Sequence, residues 1–257
     1  MLRCPRCGLR YVSPRPTAEG VAQLYTRYLP DGEGEADEWD RAMEAVFEDA
    51  ARRVEGAVGG PGRVLDVGCG FGRFLETMER RGWEPFGIDP SPRAGERARA
   101  RLRRATLWPG LFPEDLRGAP PLHAITAFYV LEHVRDPLAF LRAAFAALVP
   151  RGVLLLRVPH TAPLKRALGW LRVPNRLYDM PAHLFDYAPA VLRRLLAEAG
   201  FGPVEAFVGG ATRFGGLPRR AFSAVAEGGG EAVFRASGGR WILPGLSYSA
   251  LGRKRGP

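Results

Sequence analysis

Residues 64–72, VLDVGCGFG, set glycines at positions 68, 70 and 72 directly after a short apolar run that contains Asp66. A glycine-rich turn leaving a strand lets backbone approach a bound molecule closely. An acid about twenty residues later, at the end of the next strand, can hold ribose hydroxyls. Asp89, in GIDPS, stands at that distance. Two cofactor types use this arrangement. A dinucleotide fingerprint needs its third glycine at position 73, which Arg73 occupies. Asp66 would also repel a pyrophosphate, whereas it suits a ligand carrying an ammonium and a sulfonium. Spacing and charge together favour S-adenosylmethionine over NAD and disfavour a dehydrogenase.

Methyl transfer is an in-line displacement at a carbon activated by positive sulfur, so positioning the acceptor in a dry site does much of the work. A hydroxyl acceptor gains from a general base, and histidine has a suitable pKa. The chain has four histidines. His123 opens a strand at the end away from the ligand and reads as structural. His133 follows the fourth strand, where the acceptor should lie, and Glu132 beside it could orient it. His160 follows the fifth strand at the same rim, and His183 lies in a segment that could close over the site. The catalytic candidates are therefore His133, His183 and Glu132. The plainer alternative is that His133 and His183 satisfy backbone carbonyls and shape a lid. Tyr129 and Phe185 could pack around the acceptor or simply be core.

The elements that must position these residues follow from periodicity. Trp39, Met43, Val46, Phe47, Ala50 and Val54 recur three and four apart, so helices precede the core, with a further one over AQLYTRY at 22–28. RVLDVG is a short buried strand and GRFLETMERRG a helix stopped at Gly82. EPFGIDP is a second strand, followed by a helix capped by Ser91 with Pro92 in its first turn. RATLWPG and HAITAFYVL are strands three and four. Asp136 and Pro137 open the next helix, and Pro150 to Gly152 lead into strand five, VLLLRVP. Five alternations of strand and helix predict a parallel sheet covered on both faces, with ligands at the carboxyl ends of its strands. A long irregular insert over 160–187 follows strand five as a candidate lid. A helix stopped at Gly200 and two late strands then suggest an antiparallel return at the sheet edge.

The segments VLDVGCGFG, GIDPS, YVLEHVRDP, HLFDYAP and LRRLLAEAGF, in this order and at these distances, resemble the class I S-adenosylmethionine-dependent methyltransferases, in particular the small-molecule group with quinone- and sugar-modifying members. The resemblance implies an α/β, Rossmann-like seven-stranded sheet of order 3-2-1-4-5-7-6 with strand seven antiparallel. It implies that Asp66 and the backbone of Gly68, Cys69 and Gly70 contact the methionine part, Asp89 the ribose, and Pro90 and Ser91 the adenine. Leu111 and Phe112 replace the acid that often reads the adenine amino group, and Phe128 and Tyr129 complete the cofactor-binding set. Leu122-His123 replaces the usual Phe-Asp before strand four.

At 257 residues and 46% hydrophobic, the chain can bury one full core. The expected organisation is a partial zinc-ribbon-like segment over 1–16, helices over 17–60 and a methyltransferase domain over 61–257. No apolar run is long enough to span a membrane and no signal-peptide pattern opens the chain, so a cytoplasmic location is expected. The net charge of +10 raises the case for an anionic partner, but lysines occur only at 165 and 254, and the arginines are dispersed along helices. A nucleic-acid methyltransferase would keep the same cofactor site, but YVLE lacks the Asn/Asp-Pro-Pro-aromatic cluster of exocyclic base methylation. A non-catalytic cofactor-binding protein is the third reading. CPRCG at 4–8 resembles half of a zinc ribbon. Its explanations are zinc shared between two chains, a vestigial turn or a truncated start, and no metal ligand is assigned. The scattered arginines and apolar side chains of the insert admit a phosphorylated sugar, a phenol or a lipid-like quinone as acceptor.

Overall fold

A computed structural model describes residues 1–17, 33–160, 182–210, 228–239 and 247–256, with isolated positions 20, 170, 172, 212 and 242. The helix expected over 22–28 and most of the insert lie outside the described residues. In chain order the elements are β1 (Leu2–Arg3), β2 (Arg10–Tyr11), α1 (Glu33–Val58), β3 (Arg63–Val67), α2 (Arg73–Arg80), β4 (Glu84–Asp89), α3 (Pro92–Arg101), β5 (Thr106–Pro109), β6 (Leu122–Phe128), α4 (Pro137–Ala147), β7 (Leu148–Pro159), β8 (Phe185–Asp186), α5 (Pro189–Glu198), β9 (Phe201–Phe207), α6 (228–236) and β10 (Ser247–Lys254).

Seven strands form one sheet in the order β5-β4-β3-β6-β7-β10-β9. The first five are parallel, and β10 runs antiparallel between β7 and β9. This is the 3-2-1-4-5-7-6 arrangement that the family resemblance implies. The central strands alternate between two apolar layers. Leu65, Ile125, Leu154 and Leu156 join Phe140, Leu141 and Leu192 of α4 and α5 on one face. Val64, Ala124, Val153 and Leu155 join Met43, Phe47, Phe74 and Met78 of α1 and α2 on the other. Burial on both faces is why these strands read as continuous apolar runs.

Helix starts follow local chemistry. The Ser91 Oγ accepts from the Ala94 N–H at 3.3 Å and opens α3, and Asp136 Oδ1 accepts from the Ala139 N–H at 3.0 Å and opens α4. One boundary differs from the sequence reading. Pro150 to Gly152 lie inside β7 rather than before it, because a register shift against β6 between Leu122 and Ala124 absorbs the extra residues, with Arg151 at a left-handed φ of 66°.

A second, three-stranded sheet was not foreseen: β1, β2 and β8 pair antiparallel. The Val12 N–H donates to the Leu184 carbonyl at 2.9 Å, and the Leu184 N–H donates to the Glu132 carbonyl at 2.8 Å. The amino-terminal hairpin is thereby laced to the chain leaving β6. Among the described residues no helix is long and apolar enough to cross a membrane.

Candidate functional site

A cavity of about 340 Å³ lies at the carboxyl ends of β3, β4 and β6, within the range of small-molecule sites. Its floor is the turn after β3. Gly68 has φ 70°, and a Cβ there would stand 2.6 Å from Val130 Cγ2, so close approach as well as backbone angle requires glycine. Gly70 has φ 50° and open space where a Cβ would project. Its N–H donates to Asp89 Oδ2 at 2.9 Å, while Asp89 Oδ1 accepts from the Ser91 N–H at 2.8 Å. The carboxylate thus ties the turn to the end of β4, and each oxygen keeps a lone pair for a further donor. Burial raises this carboxyl above its ordinary range against the two backbone bonds, which lower it.

Asp66 ends on the same floor, 3% exposed, and accepts a 2.7 Å hydrogen bond from Thr126 Oγ1. Burial pushes its carboxyl up to about 8, with the Thr126 bond opposing and the nearby Asp89 charge adding. Burial, with the two carboxylates, also raises the Cys69 thiol well above its ordinary value. Pro90, Leu111 and Phe112 line the cavity, whereas Ser91 does not and serves as the cap of α3. Phe128 and Tyr129 form the wall at the end of β6.

One wall went unrecognised in the sequence. Trp39, Met43 and Phe47 of α1 face the cavity. Their spacing of four was visible, but it is equally the spacing of a core face.

Glu132, His133 and His183 stand together on the remaining side. Glu132 is fully buried, and neither carboxyl oxygen has a hydrogen-bond partner among the described residues. Burial pushes it up to about 8, and the Asp186 charge adds to the shift. The Ala182 carbonyl lies 2.9 Å from His133 Nδ1. Because a carbonyl can only accept, Nδ1 carries the proton and the neutral ring has its lone pair on Nε2. The His183 ring meets His133 edge-on at 4.8 Å. The donor atoms of these three side chains all lie within 4.8 Å of one another, a set that could hold a divalent cation, although the sequence reading assigned no metal ligand.

Other candidates stand elsewhere. His160 Nδ1 lies 2.9 Å from Asp186 Oδ1, behind the cavity, and Pro159 lines the wall in its place. Phe185 is buried in the core beneath Arg15 rather than beside an acceptor. His123 Nδ1 accepts from the Arg63 N–H at 3.0 Å, a structural role as expected. Cys4 and Cys7 are free, half-buried thiols, and no described residue completes a group of three ligands with them.

A family model described as a methyltransferase domain matches residues 38–206, well over half of the chain. A ubiquinone biosynthesis O-methyltransferase of Xanthomonas campestris pv. campestris is 38% identical over 112 residues, 42% of this chain and 47% of that one. One from Psychrobacter arcticus is 34% identical over 152 residues, 54% and 58% of the two chains. The match therefore spans about half the length of these curated relatives. Among solved structures, the 1,6-didemethyltoxoflavin-N1-methyltransferase of Burkholderia thailandensis, with bound 1,6-didemethyltoxoflavin and S-adenosylhomocysteine, superposes with a TM-score of 0.61 at 18% identity, covering 99% of this chain and 98% of that one. A SAM-dependent methyltransferase from Archaeoglobus fulgidus gives 0.57 at 21% identity, covering 82% and 94%. At such identities the structures speak for the fold. Family match, sheet order and glycine turn agree, and the chain belongs to the methyltransferase-domain family with the class I S-adenosylmethionine-dependent fold.

Proposed function

We propose that the protein transfers the methyl group of S-adenosylmethionine to an oxygen of a small-molecule acceptor. The carrying observation is one cavity that joins a glycine turn and two buried acids on one side to the Glu132, His133 and His183 group on the other. The relatives named as O-methyltransferases support oxygen as the target atom.

The residues present fit the cofactor. The open space at Gly70 admits close approach of a ligand, and Asp66 is a buried acid that a ligand ammonium would neutralise. Asp89 keeps acceptor capacity for the ribose hydroxyls, and Pro90, Leu111 and Phe112 offer an apolar slot for the adenine. When bound, S-adenosylmethionine supplies a methyl carbon activated by positive sulfur. The chain's own part is to hold the acceptor in line and to take its proton. With Nδ1–H committed to the Ala182 carbonyl, the neutral form of His133 carries its lone pair on Nε2, so it can serve as general base. Trp39, Phe47 and Phe128 give the cavity an apolar aromatic wall, so that ligands filling it would displace water and strengthen the electrostatic interactions inside.

Calorimetric titration with S-adenosylmethionine, S-adenosylhomocysteine and NAD tests the cofactor assignment. Binding of the two sulfur compounds alone is expected. Binding of NAD, or silence from all three with folded protein, overturns it. With an acceptor in hand, His133→Ala should keep cofactor affinity and lower turnover by about 10²–10⁴-fold, the usual worth of a general base. Unchanged turnover would remove His133 from that role.

A further inference from the structure

Arg157 sits on β7 with 2% of its surface exposed. Its guanidinium donates from Nη1 to the Val208 carbonyl at 2.9 Å and the Ser249 hydroxyl at 3.2 Å, from Nη2 to the Gly210 carbonyl at 2.7 Å, and from Nε to the Tyr129 hydroxyl at 3.0 Å. Among the described residues no carboxylate pairs with it. A buried guanidinium surrounded by neutral acceptors is unusual, because charge is normally removed from water only with a counter-charge nearby. Among the described residues, the one ionisable group it is hydrogen-bonded to is Tyr129, in the cavity wall.

Tyr129 is itself held in an uncommon state. Its backbone has φ 57°, a left-handed conformation that bulky residues avoid, and its N–H donates to the Arg157 carbonyl at 2.8 Å. The two residues are thus joined through backbone and side chain together. The phenol oxygen also lies 3.2 Å from Thr212 Oγ1, and Thr212 donates its own proton to Met43 Sδ at 3.8 Å. Met43 lines the cavity, so this chain of contacts ends at the cavity surface. Since Arg157 donates to the phenol oxygen and Thr212 donates onward, the Tyr129 proton rests on Thr212 and is available to a stronger acceptor.

We propose that Tyr129 is a further catalytic residue, whose hydroxyl, polarised by Arg157 as its positioning residue, donates to the acceptor oxygen as that oxygen loses its proton. The proposal rests on the methyl-transfer reading. Burial alone would raise the Tyr129 phenol, but the Arg157 charge, together with the hydrogen bonds the phenol shares with Ser247 and Thr212, holds it below its ordinary value, which makes it a stronger donor. Chemically, imidazole is a weak base toward an ordinary hydroxyl. A donor that acidifies the hydroxyl narrows that gap. The proton then passes to His133, the oxygen forms its bond to the methyl carbon, the carbon–sulfur bond breaks and neutral S-adenosylhomocysteine leaves. The Tyr129 hydrogen bond weakens as the new bond forms, so its benefit lies in the deprotonation.

The test uses 4-nitrophenol, whose ionisation is visible in its absorption spectrum, titrated against pH on protein saturated with S-adenosylhomocysteine. The bound phenol should ionise about one pH unit or more below its value on Tyr129→Phe protein, tenfold in ionisation constant. Arg157→Gln should lose the shift too, and Arg157→Lys, which keeps the charge, should retain part of it. Should Arg157→Gln fail to fold, Tyr129→Phe, which leaves the guanidinium anchored on Val208, Gly210 and Ser249, decides the matter. A shift unchanged in Tyr129→Phe, or a nitrophenol spectrum that the protein does not perturb, overturns the proposal while S-adenosylhomocysteine binding leaves the methyl-transfer reading standing. Absence of S-adenosylhomocysteine binding overturns both.

Discussion

Asp66 shows how burial turns a side chain into a pH-dependent ligand. With its carboxyl raised to about 8, it holds a proton at neutral pH in the free protein. A ligand ammonium favours the carboxylate, so cofactor binding should release up to one proton near pH 7, and affinity should rise with pH towards about 8. Calorimetry in buffers of different ionisation enthalpy measures that release directly; heats independent of buffer would contradict it. The free protein should show the opposite trend. Between the ordinary value of 3.8 and about 8 the folded state holds the Asp66 proton more tightly than the unfolded chain, so stability from this group falls as pH rises across that window. The slope is at most about 1.4 kcal/mol per pH unit and is readable in urea melts. For Asp89 the expected loss on replacement by Ala is about 1.5–3 kcal/mol of cofactor binding, the worth of hydrogen bonds to a charged group. Asp89→Asn should lose less, because the amide keeps one accepting oxygen. Equal affinity in all three proteins would remove Asp89 from the ribose.

At the scale of elements, the turn between β3 and α2 depends on glycine for two separate reasons. Gly68→Ala adds a Cβ 2.6 Å from Val130 Cγ2 at a positive φ, so it should sharply weaken S-adenosylhomocysteine binding. Gly68→Ala with Val130→Ala should recover the part that is steric and leave the part due to backbone angle. Failure of the double variant to recover anything would assign the whole effect to backbone angle. Asp136 caps α4 and is not part of the cavity lining, and Asp136→Ala should cost about 1 kcal/mol of stability in thermal melts without changing cofactor affinity. These elements were legible in the sequence because caps, glycine stops and apolar periods are local signals. The cavity face of α1 was not. Trp39, Met43 and Phe47 recur like any buried helical face, and only docking decides whether such a face meets core or ligand.

For the whole molecule, the amino-terminal hairpin and the end of the insert belong to one construction. The sequence reading kept CPRCG and HLFDY apart, yet β2 pairs with β8, and Leu184 links that sheet to Glu132. The carbonyl that orients His133 and the ring of His183 both come from this stretch. Val12→Pro, which removes the N–H given to Leu184, should therefore lower turnover severalfold, in keeping with one lost hydrogen bond of about 1 kcal/mol, while S-adenosylhomocysteine still binds. Equal loss of both would point to general destabilisation. The basic excess also reads differently in three dimensions. Arg53 pairs with Asp49 at 2.9 Å, Arg73 with Glu76 at 2.7 Å and Arg101 with Asp40 at 2.6 Å, so these arginines of α1 to α3 are engaged within the fold.

The alternation of strand and helix, the cofactor turn, the caps and about half of the residues that line the cavity were set by the sequence itself, because each depends on neighbours within a few positions, while the strand order was implied by the family resemblance. Tertiary structure alone decided three things. It set His160 on Asp186 rather than in the cavity, it made the α1 face a wall, and it buried Arg157 against the phenol of Tyr129. Each joins residues far apart in the chain, and no periodicity or spacing records which distant partner a side chain meets.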